Sequence, residues 1–304
     1  VTPHWKQTRA AMRNHRFALI VHDTTILHFS NHRALEGIGP VGDGGGRGFL
    51  QHHSLVVIPQ PRQVVGLVYQ QLYVRQPAPA GERSAQRKQR QRESELWLKG
   101  IAASGPAPEG RCWGDVADRG ADIDEAMLES QKLQHQFLFH ATQNRRVFAT
   151  AEQDQEARLF EYVRTLPSLG NDEVDIPGRG GRPARTAHVQ LACDPVWIPA
   201  PLETPKRRSQ PVIAAWVVRV WKVDAPAGVE PLEWVLPCSV PTRTLQEAKE
   251  RRDWYSCRWM AEVYHQIAKS GCGEEKRRFE TAEAMRVWLA ILSVVAVRVF
   301  QLRC

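Results

Sequence analysis

Several features are missing from this 304-residue sequence, and each absence narrows its reading. No two cysteines form a Cys-x-x-Cys pair: Cys112, Cys193, Cys238, Cys257, Cys272 and Cys304 are scattered. That spacing argues against a zinc ribbon or a disulfide scaffold and suits a reducing compartment. No apolar run reaches the roughly 20 residues that cross a bilayer. The longest, Val287 to Val297, is closed by Arg286 and Arg298, and it is expected to form a buried helix. No secretory leader pattern and no internal repeat is present. Because the first residue is Val1, the N-terminus is expected to lie elsewhere, in a longer chain. The glycine-rich "GIGPVGDGGGRG" lacks the Gly-Lys-Ser/Thr ending of a phosphate loop, and it joins two expected strands instead of opening a helix.

What is present describes a globular protein with an ordinary core. Apolar residues make up 42% and charged residues 24%, and the length allows one large domain or two ordinary ones. The net charge of +8 favours a polyanionic partner, either nucleic acid or an anionic membrane. The basic run Arg83 to Arg92 reads as a solvated face or as a contact to DNA backbone.

A short helix over "WKQTRAAMRNHR" leads into three strands, "FALIVHDTTIL", "FLQHHSLVVI" and "VVGLVYQQLYV". Their β-branched content and connecting turns predict an antiparallel meander. A Pro/Ala loop then passes into a polar, basic helix ending at "LKGIAAS". "CWGDVAD" reads as a strand, "DIDEAMLESQKL" as an amphipathic helix with acids in its first turn, and "QFLFHAT" as another strand. This alternation predicts a mixed α/β sheet with helices on its faces. From about Asn144 to Pro241, clustered Gly and Pro alternate with β-rich runs, which predicts a separate β subdomain. "TRTLQEAKERRDWYSCRWMAEVYHQIAK" is expected to be one long helix, followed by a second over "ETAEAMRVWLAILSVVAVRVFQL".

Three carboxylates carry the candidate chemistry. Asp23 ends the apolar run "ALIVHD" and Asp118 ends "GDVAD". Each reads as a turn former or as a functional group. If their strands are adjacent, two like charges a few Å apart need a cation between them, and hard oxygen ligands suit Mg²⁺ or Mn²⁺. Tyr255, Arg258, Glu262 and Lys269 have offsets 0, 3, 7 and 14. On a continuous helix, at about 100° per residue, they fall within roughly 60° of one another. That face is either a solvated one with spaced ion pairs, or a carboxylate flanked by phosphate-binding groups.

Together these residues resemble a known family. "HDTT" at Asp23, "DVADRGAD" around Asp118 and the Tyr-x₂-Arg-x₃-Glu-x₆-Lys pattern from Tyr255 to Lys269 are similar to the DDE transposases of the insertion-sequence-four group, the Tn-five type. "RG…HHSLVV" (Arg47 to Val57), "ESELWL" (Glu93 to Leu98), "RPAR" (Arg182 to Arg185) and "VAVRVFQLR" (Val295 to Arg303) extend the resemblance, in order, over nearly the whole chain. It implies an RNase H-like mixed sheet flanked by helices, with a β-rich insertion before the last catalytic helix. The expected divisions are 1–143 for the first part of the core, 144–241 for the insertion and 242–304 for the helical closing part.

The resemblance also implies the site and its chemistry. Asp23, Asp118 and Glu262 become the metal triad for two Mg²⁺ ions, with Mn²⁺ as a substitute. Tyr255, Arg258 and Lys269 become phosphate contacts at a transposon end, with Arg182 and Arg185 as further DNA contacts. Trp234 falls where the Tn-five protein stacks a tryptophan on a flipped base, although β-core packing is the other reading of that position. His140 falls where that protein has a DNA-contacting arginine. The expected activity is metal-dependent strand cleavage and strand transfer in cut-and-paste DNA transposition. The expected partners are double-stranded DNA at transposon ends and target DNA, with no membrane, and the expected location is the bacterial cytoplasm at the nucleoid. Set beside the family, the chain is expected to lack the N-terminal DNA-binding domain and the C-terminal dimerisation region. A homodimer is therefore expected once the latter is supplied. Two further readings stay open: a remnant that binds DNA without specificity or inhibits a full-length relative, and an RNase H-like nuclease acting on RNA or branched DNA.

Overall fold

The computed structural model describes residues 1–42, 45–76, 79, 81, 92–176, 178, 184–201, 211–223 and 232–303. The chain divides into two compact units, Val1–His135 with Cys257–Cys304, and Gln136–Ser256.

In the first unit, helix α1 (Thr2–Met12) precedes strand β1 (Phe17–His28). Strand β2 (Gly39–Val41) forms within the glycine-rich connection, and β3 (Gly46–Ile58) and β4 (Gln63–Tyr73) complete the meander. Helix α2 (Glu95–Ser104), strand β5 (Cys112–Ala117) and helix α3 (Asp124–Lys132) follow. β1 is central. It pairs antiparallel with β3, from Leu19 opposite Val57 to His28 opposite Gly48, and parallel with β5, from Phe17 opposite Cys112 to His22 opposite Ala117. β3 also pairs antiparallel with β2 and with β4. The unit is thus α/β, with a mixed sheet flanked by helices.

Side chains on a strand alternate between faces, and this sorts β1 into two sets. Ala18 and Ile20 pack with Met12 of α1, Val56, Val68 and Trp113 on one face. Leu27 packs on the other with Phe29, Phe49, Met285 and Leu289. The neighbours His22 and Asp23 therefore point to opposite faces of one sheet.

The second unit is an antiparallel sheet with helices α4 (Leu159–Thr165) and α5 (Leu245–Ser256). Its strands are β6 (Gln136–Phe139), β7 (Arg146–Phe148), β8 (Glu156–Arg158), β9 (Gly170–Ile176), β10 (Arg185–Ile198), β11 (Ile213–Lys222) and β12 (Glu233–Cys238). They pair in the order β6-β12-β11-β10-β7-β8, with β9 also on β10. Helix α5 packs on β10, β11 and β6.

The chain returns to the first unit through helix α6 (Trp259–Gln266), a π-helical turn (Ile267–Gly271) and helix α7 (Ala282–Gln301). The single long helix expected over "TRTLQEAKERRDWYSCRWMAEVYHQIAK" is therefore broken. Helical structure stops at Ser256 and resumes at Trp259 through a turn at Cys257 and Arg258, where the chain passes from one unit to the other. The expectation of burial for Val287 to Val297 also needs correction. Leu289, Leu292, Ala296 and Val297 are buried, but Val287, Ile291 and Val295 are exposed to 62%, 55% and 44%. Their spacing of four places them in one stripe on the outer side of α7. No helix among the described residues is long and apolar enough to cross a membrane. The polar run 82–91 lies outside the described residues.

Candidate active site

Asp23 lies within β1, which runs on to His28 and so does not end at this carboxylate as its apolar run suggested, and Asp118 follows directly on β5, the parallel neighbour of β1. The last paired position is His22 with Ala117, and each carboxylate is the next residue along its chain. Neighbouring strands lie about 4.8 Å apart, and residues level with each other in a parallel pair share a face. Asp118 keeps an extended backbone and caps the 3₁₀ turn Arg119–Ala121, its Oδ1 accepting from the Gly120 amide at 2.9 Å. Gly120 is needed there: a Cβ would lie 2.9 Å from Trp97 Cε2 and 3.1 Å from Asp118 Oδ1.

Asp23 is 7% exposed, and its Oδ1 accepts from the Thr24 amide at 2.9 Å. Burial, then the charge of Asp118, raises its carboxyl to about 7, and Glu262 pushes the same way. The Arg258 guanidinium and the Thr24 amide oppose the rise without cancelling it. Three carboxylates therefore share one electrostatic neighbourhood on the side of the sheet covered by α6, which packs on β1.

Glu262 lies in the first turn of α6 and accepts from Arg258 Nη1 at 2.8 Å. The guanidinium also stands 5.1 Å from the Trp259 ring centroid. Lys269, in the π-helical turn, donates from Nζ to the Ile26 carbonyl at 2.6 Å. Arg258, Glu262 and Lys269 thus belong to the unit that holds Asp23 and Asp118.

Among the described residues, no three His, Cys, Asp or Glu side chains stand close enough together to hold a metal ion. In charge and donor type the set still fits a hard divalent cation. Asp23 and Asp118 offer oxygen ligands, and the rise in the Asp23 pKa, caused first by burial and then by the charge of Asp118, is a cost of ionisation that a cation beside them would offset.

Tyr255, His140 and Trp234 are gathered in the other unit. His140 Nδ1 and the Tyr255 hydroxyl are 2.9 Å apart, with the rings edge-on at 5.5 Å. Trp234 meets the Tyr255 ring at 5.0 Å and 67°. All three are buried, with 7% of Trp234 exposed. Arg185 opens β10 and is exposed, whereas Arg182 lies outside the described residues.

Motif reasoning passed over two sets of residues. On the Asp23 face, His265 Nδ1 lies 3.6 Å from Asp23 Oδ2, and its Nε2 lies 3.2 Å from His53 Nδ1. Burial, aided by the positive charges of Lys269 and Arg258, lowers His265 to about 3, so the ring is neutral near pH 7. On the opposite face, Ser54 Oγ and His22 Nδ1 are 2.9 Å apart, His22 Nε2 meets Asp115 Oδ1 at 3.0 Å, and His135 Nδ1 meets Asp115 Oδ2 at 3.0 Å. Helix α2 closes over this layer at Gly100, where a Cβ would lie 2.7 Å from His52 Nε2 and 2.9 Å from Ser54 Oγ. The one available signal was polar: "HHS" in the middle of an apolar strand. No family model matches the chain.

Proposed function

We propose that this chain is the catalytic core of a DDE transposase of the insertion-sequence-four type, cleaving DNA strands and joining a 3′ end to target DNA. In this reading the first unit belongs to the RNase H-like core, and the second contains the β-rich insertion expected at 144–241. The observation that carries it is the neighbourhood of Asp23: a second carboxylate, Asp118, directly after the neighbouring parallel strand, and a third, Glu262, close enough to raise the Asp23 pKa.

Asp23, Asp118 and Glu262 would hold Mg²⁺ or Mn²⁺. Two such ions supply an activated oxygen nucleophile and neutralise the leaving oxygen in an in-line displacement. The remaining work falls to the chain's own residues. Arg258 holds Glu262 by a charge-assisted bond, and its guanidinium is suited to bridging between that carboxylate and a DNA phosphate. Lys269 adds a point charge beside β1. Tyr255, His140, Trp234, Arg182 and Arg185 are assigned to DNA contact, and a net charge of +8 suits such a partner. The partners in this reading are double-stranded transposon ends and target DNA, with a homodimer at synapsis, in the bacterial cytoplasm.

A second, non-enzymatic reading has its own support. Glu262 is engaged by Arg258, and the described residues form no ready three-ligand cluster. In that reading the chain binds DNA without cutting it or inhibits a full-length relative. Nicking of supercoiled plasmid in the presence of Mn²⁺ separates the two. Wild-type chain is expected to nick, and Glu262→Gln is expected to abolish nicking while DNA binding stays within about threefold of wild type, a change under 1 kcal/mol. Nicking that survives Glu262→Gln rules out the role given to Glu262, and a wild-type chain that binds without nicking supports the second reading.

A further inference from the structure

The outer side of α7 carries an apolar seam with a periodicity of its own. Ala284, Val287, Ile291, Val294 and Arg298 follow one another at spacings of three, four, three and four, the interval at which one helix packs along another. Val287, Ile291 and Val295 form its exposed crest. The inner side is already occupied, because Met285 and Leu289 pack in the core with Phe29 and Phe49. β-Branched side chains fill the middle of the seam, and charge is confined to its ends. Glu283, in the first turn, is the only acid in the helix, and no Asp or Glu follows it as far as Arg303. Arg298 stands on the seam near the other end, its guanidinium held by Gln301 Oε1 at 2.8 Å and Gln7 Oε1 at 3.3 Å. An apolar crest with opposite charges at its two ends is complementary to its own reversed copy.

We propose that this face docks on the same face of a second copy of the chain, the two α7 helices running antiparallel about a two-fold axis at Ile291. Reversal about Ile291 sets Val287 opposite the second copy's Val295, and Ala284 opposite its Arg298. The small Ala284 leaves room for that guanidinium to reach Glu283, one residue or about 1.5 Å further along the axis. At about 100° per residue, Glu283 and Arg298 lie to the same side of Ile291, by roughly 80° and 20°. A two-fold axis across antiparallel helices keeps that side facing itself, so the Glu283–Arg298 pair forms twice. Parallel helices would instead set Glu283 level with Glu283 and Arg298 level with Arg298, and like charges across an interface cost affinity. One helix from each copy makes a small interface, at the low end of the range for specific complexes, so the dimer is a reversible one. None of this depends on the metal reading of Asp23, Asp118 and Glu262.

Sedimentation equilibrium of the wild-type chain, from about 1 to 200 µM, is expected to show monomer and dimer in exchange with a dissociation constant on the order of 10 µM. A monomer throughout overturns the proposal and leaves the seam to a different partner. Ile291→Glu places two carboxylates on the two-fold axis and is expected to weaken the dimer by about 100-fold or more. Ile291 is exposed, so the variant should keep the fold, which circular dichroism at about 1 µM checks. A dimer that survives Ile291→Glu lies on another surface and overturns the proposal. Glu283→Arg and Arg298→Glu are each expected to weaken association by about 10-fold, and the two together to restore it to within about threefold of wild type. Only the antiparallel pairing gives that rescue, and a double variant as weak as either single one overturns the two-fold arrangement.

Discussion

Asp115 Oδ1 lies 3.0 Å from Nε2 of His22, the residue that immediately precedes Asp23 on β1, and both partners are closed to solvent. The bond ties β1 to β5, the two strands that carry the candidate carboxylates, from the opposite face of the sheet. Burial alone would push the Asp115 carboxyl up; the charge and hydrogen bond of His135, joined by His22, instead hold it well below the usual carboxylate range. A depressed carboxyl stabilises the fold above its ordinary pKa and loses that contribution as pH falls through its folded value. Asp115→Asn should therefore cost about 3–5 kcal/mol at neutral pH, the range for breaking a buried charged pair, with a smaller difference under acid conditions. Urea titrations at pH 7 and pH 3 measure both. A loss below 1 kcal/mol at pH 7 would show that the two strands do not depend on this tie.

Asp23 makes the opposite pH prediction. Its folded pKa, raised by burial and Asp118 to about 7, exceeds the ordinary value of 3.8, so the folded state holds a proton that the unfolded state has released. That contribution is fully present below the ordinary value and is lost as pH rises through about 7. Asp23→Asn removes the strain of the ionised form, so its Tm should exceed that of wild type by several degrees at pH 8 and converge with it near pH 4. Glu274, buried and likewise raised to about 7, keeps a residual slope in the variant over the same window. Under the proposed function, Mg²⁺ at pH 8 raises the Tm of wild type and leaves that of Asp23→Asn unchanged. Scanning calorimetry across pH, with and without Mg²⁺, decides it. A variant less stable than wild type at pH 8 contradicts the burial argument.

Gly120 is the backbone feature on which Asp118 depends. A methyl group there lies 2.9 Å from Trp97 Cε2 and 3.1 Å from the Asp118 oxygen that caps the turn. Overpacking against a ring costs about 1–3 kcal/mol, and the carboxylate moves with the turn. Gly120→Ala should lower the urea midpoint and, under the proposed function, reduce Mn²⁺-dependent nicking by more than its folded fraction explains. A variant with wild-type stability and nicking means that the turn has slack.

The sequence carried much of the local structure and little of what joins it. "FALIVHDTTIL" reads as a strand because β-branched residues crowd it, and β1 covers that run; Asp118 does follow the end of a strand, but Asp23, read as a strand end, lies inside β1, because the threonines after it continue the strand to His28. That the two carboxylates follow the last paired position was not visible, since it depends on the parallel register of β1 and β5, which no local pattern encodes. The break at Cys257 and Arg258 has no glycine or proline to announce it, so one continuous helix was read from Tyr255 to Lys269; the contacts of Tyr255 with His140 and Trp234 come from residues distant in sequence. The exposed stripe Val287, Ile291, Val295 was hidden differently: a helix apolar on every side shows no solvent face in its pattern. Histidines 22, 53, 135 and 265 were left without roles because their partners are distant in sequence, brought within reach only by folding.

Trp234 separates core packing from DNA contact. Its ring is 7% exposed and meets Tyr255 at 5.0 Å, so truncation to Ala removes a buried aromatic and costs about 3–5 kcal/mol whatever else the residue does. Trp234→Leu is the sharper substitution: it keeps an apolar filling while losing the π face. If the residue stacks on a displaced base, Trp234→Leu should leave plasmid nicking within about threefold and reduce closure of a DNA hairpin at the cut end by roughly 5- to 150-fold, the equivalent of about 1–3 kcal/mol of lost stacking. Tyr255→Phe, which keeps the ring and drops only the hydroxyl near His140, should cost about 1 kcal/mol of stability. It should reduce hairpin closure less than Trp234→Leu does. Gel assays with an end-labelled duplex, run beside thermal melts of each variant, measure both effects. Hairpin closure that survives Trp234→Leu while the Tm falls assigns the ring to the core of its own unit.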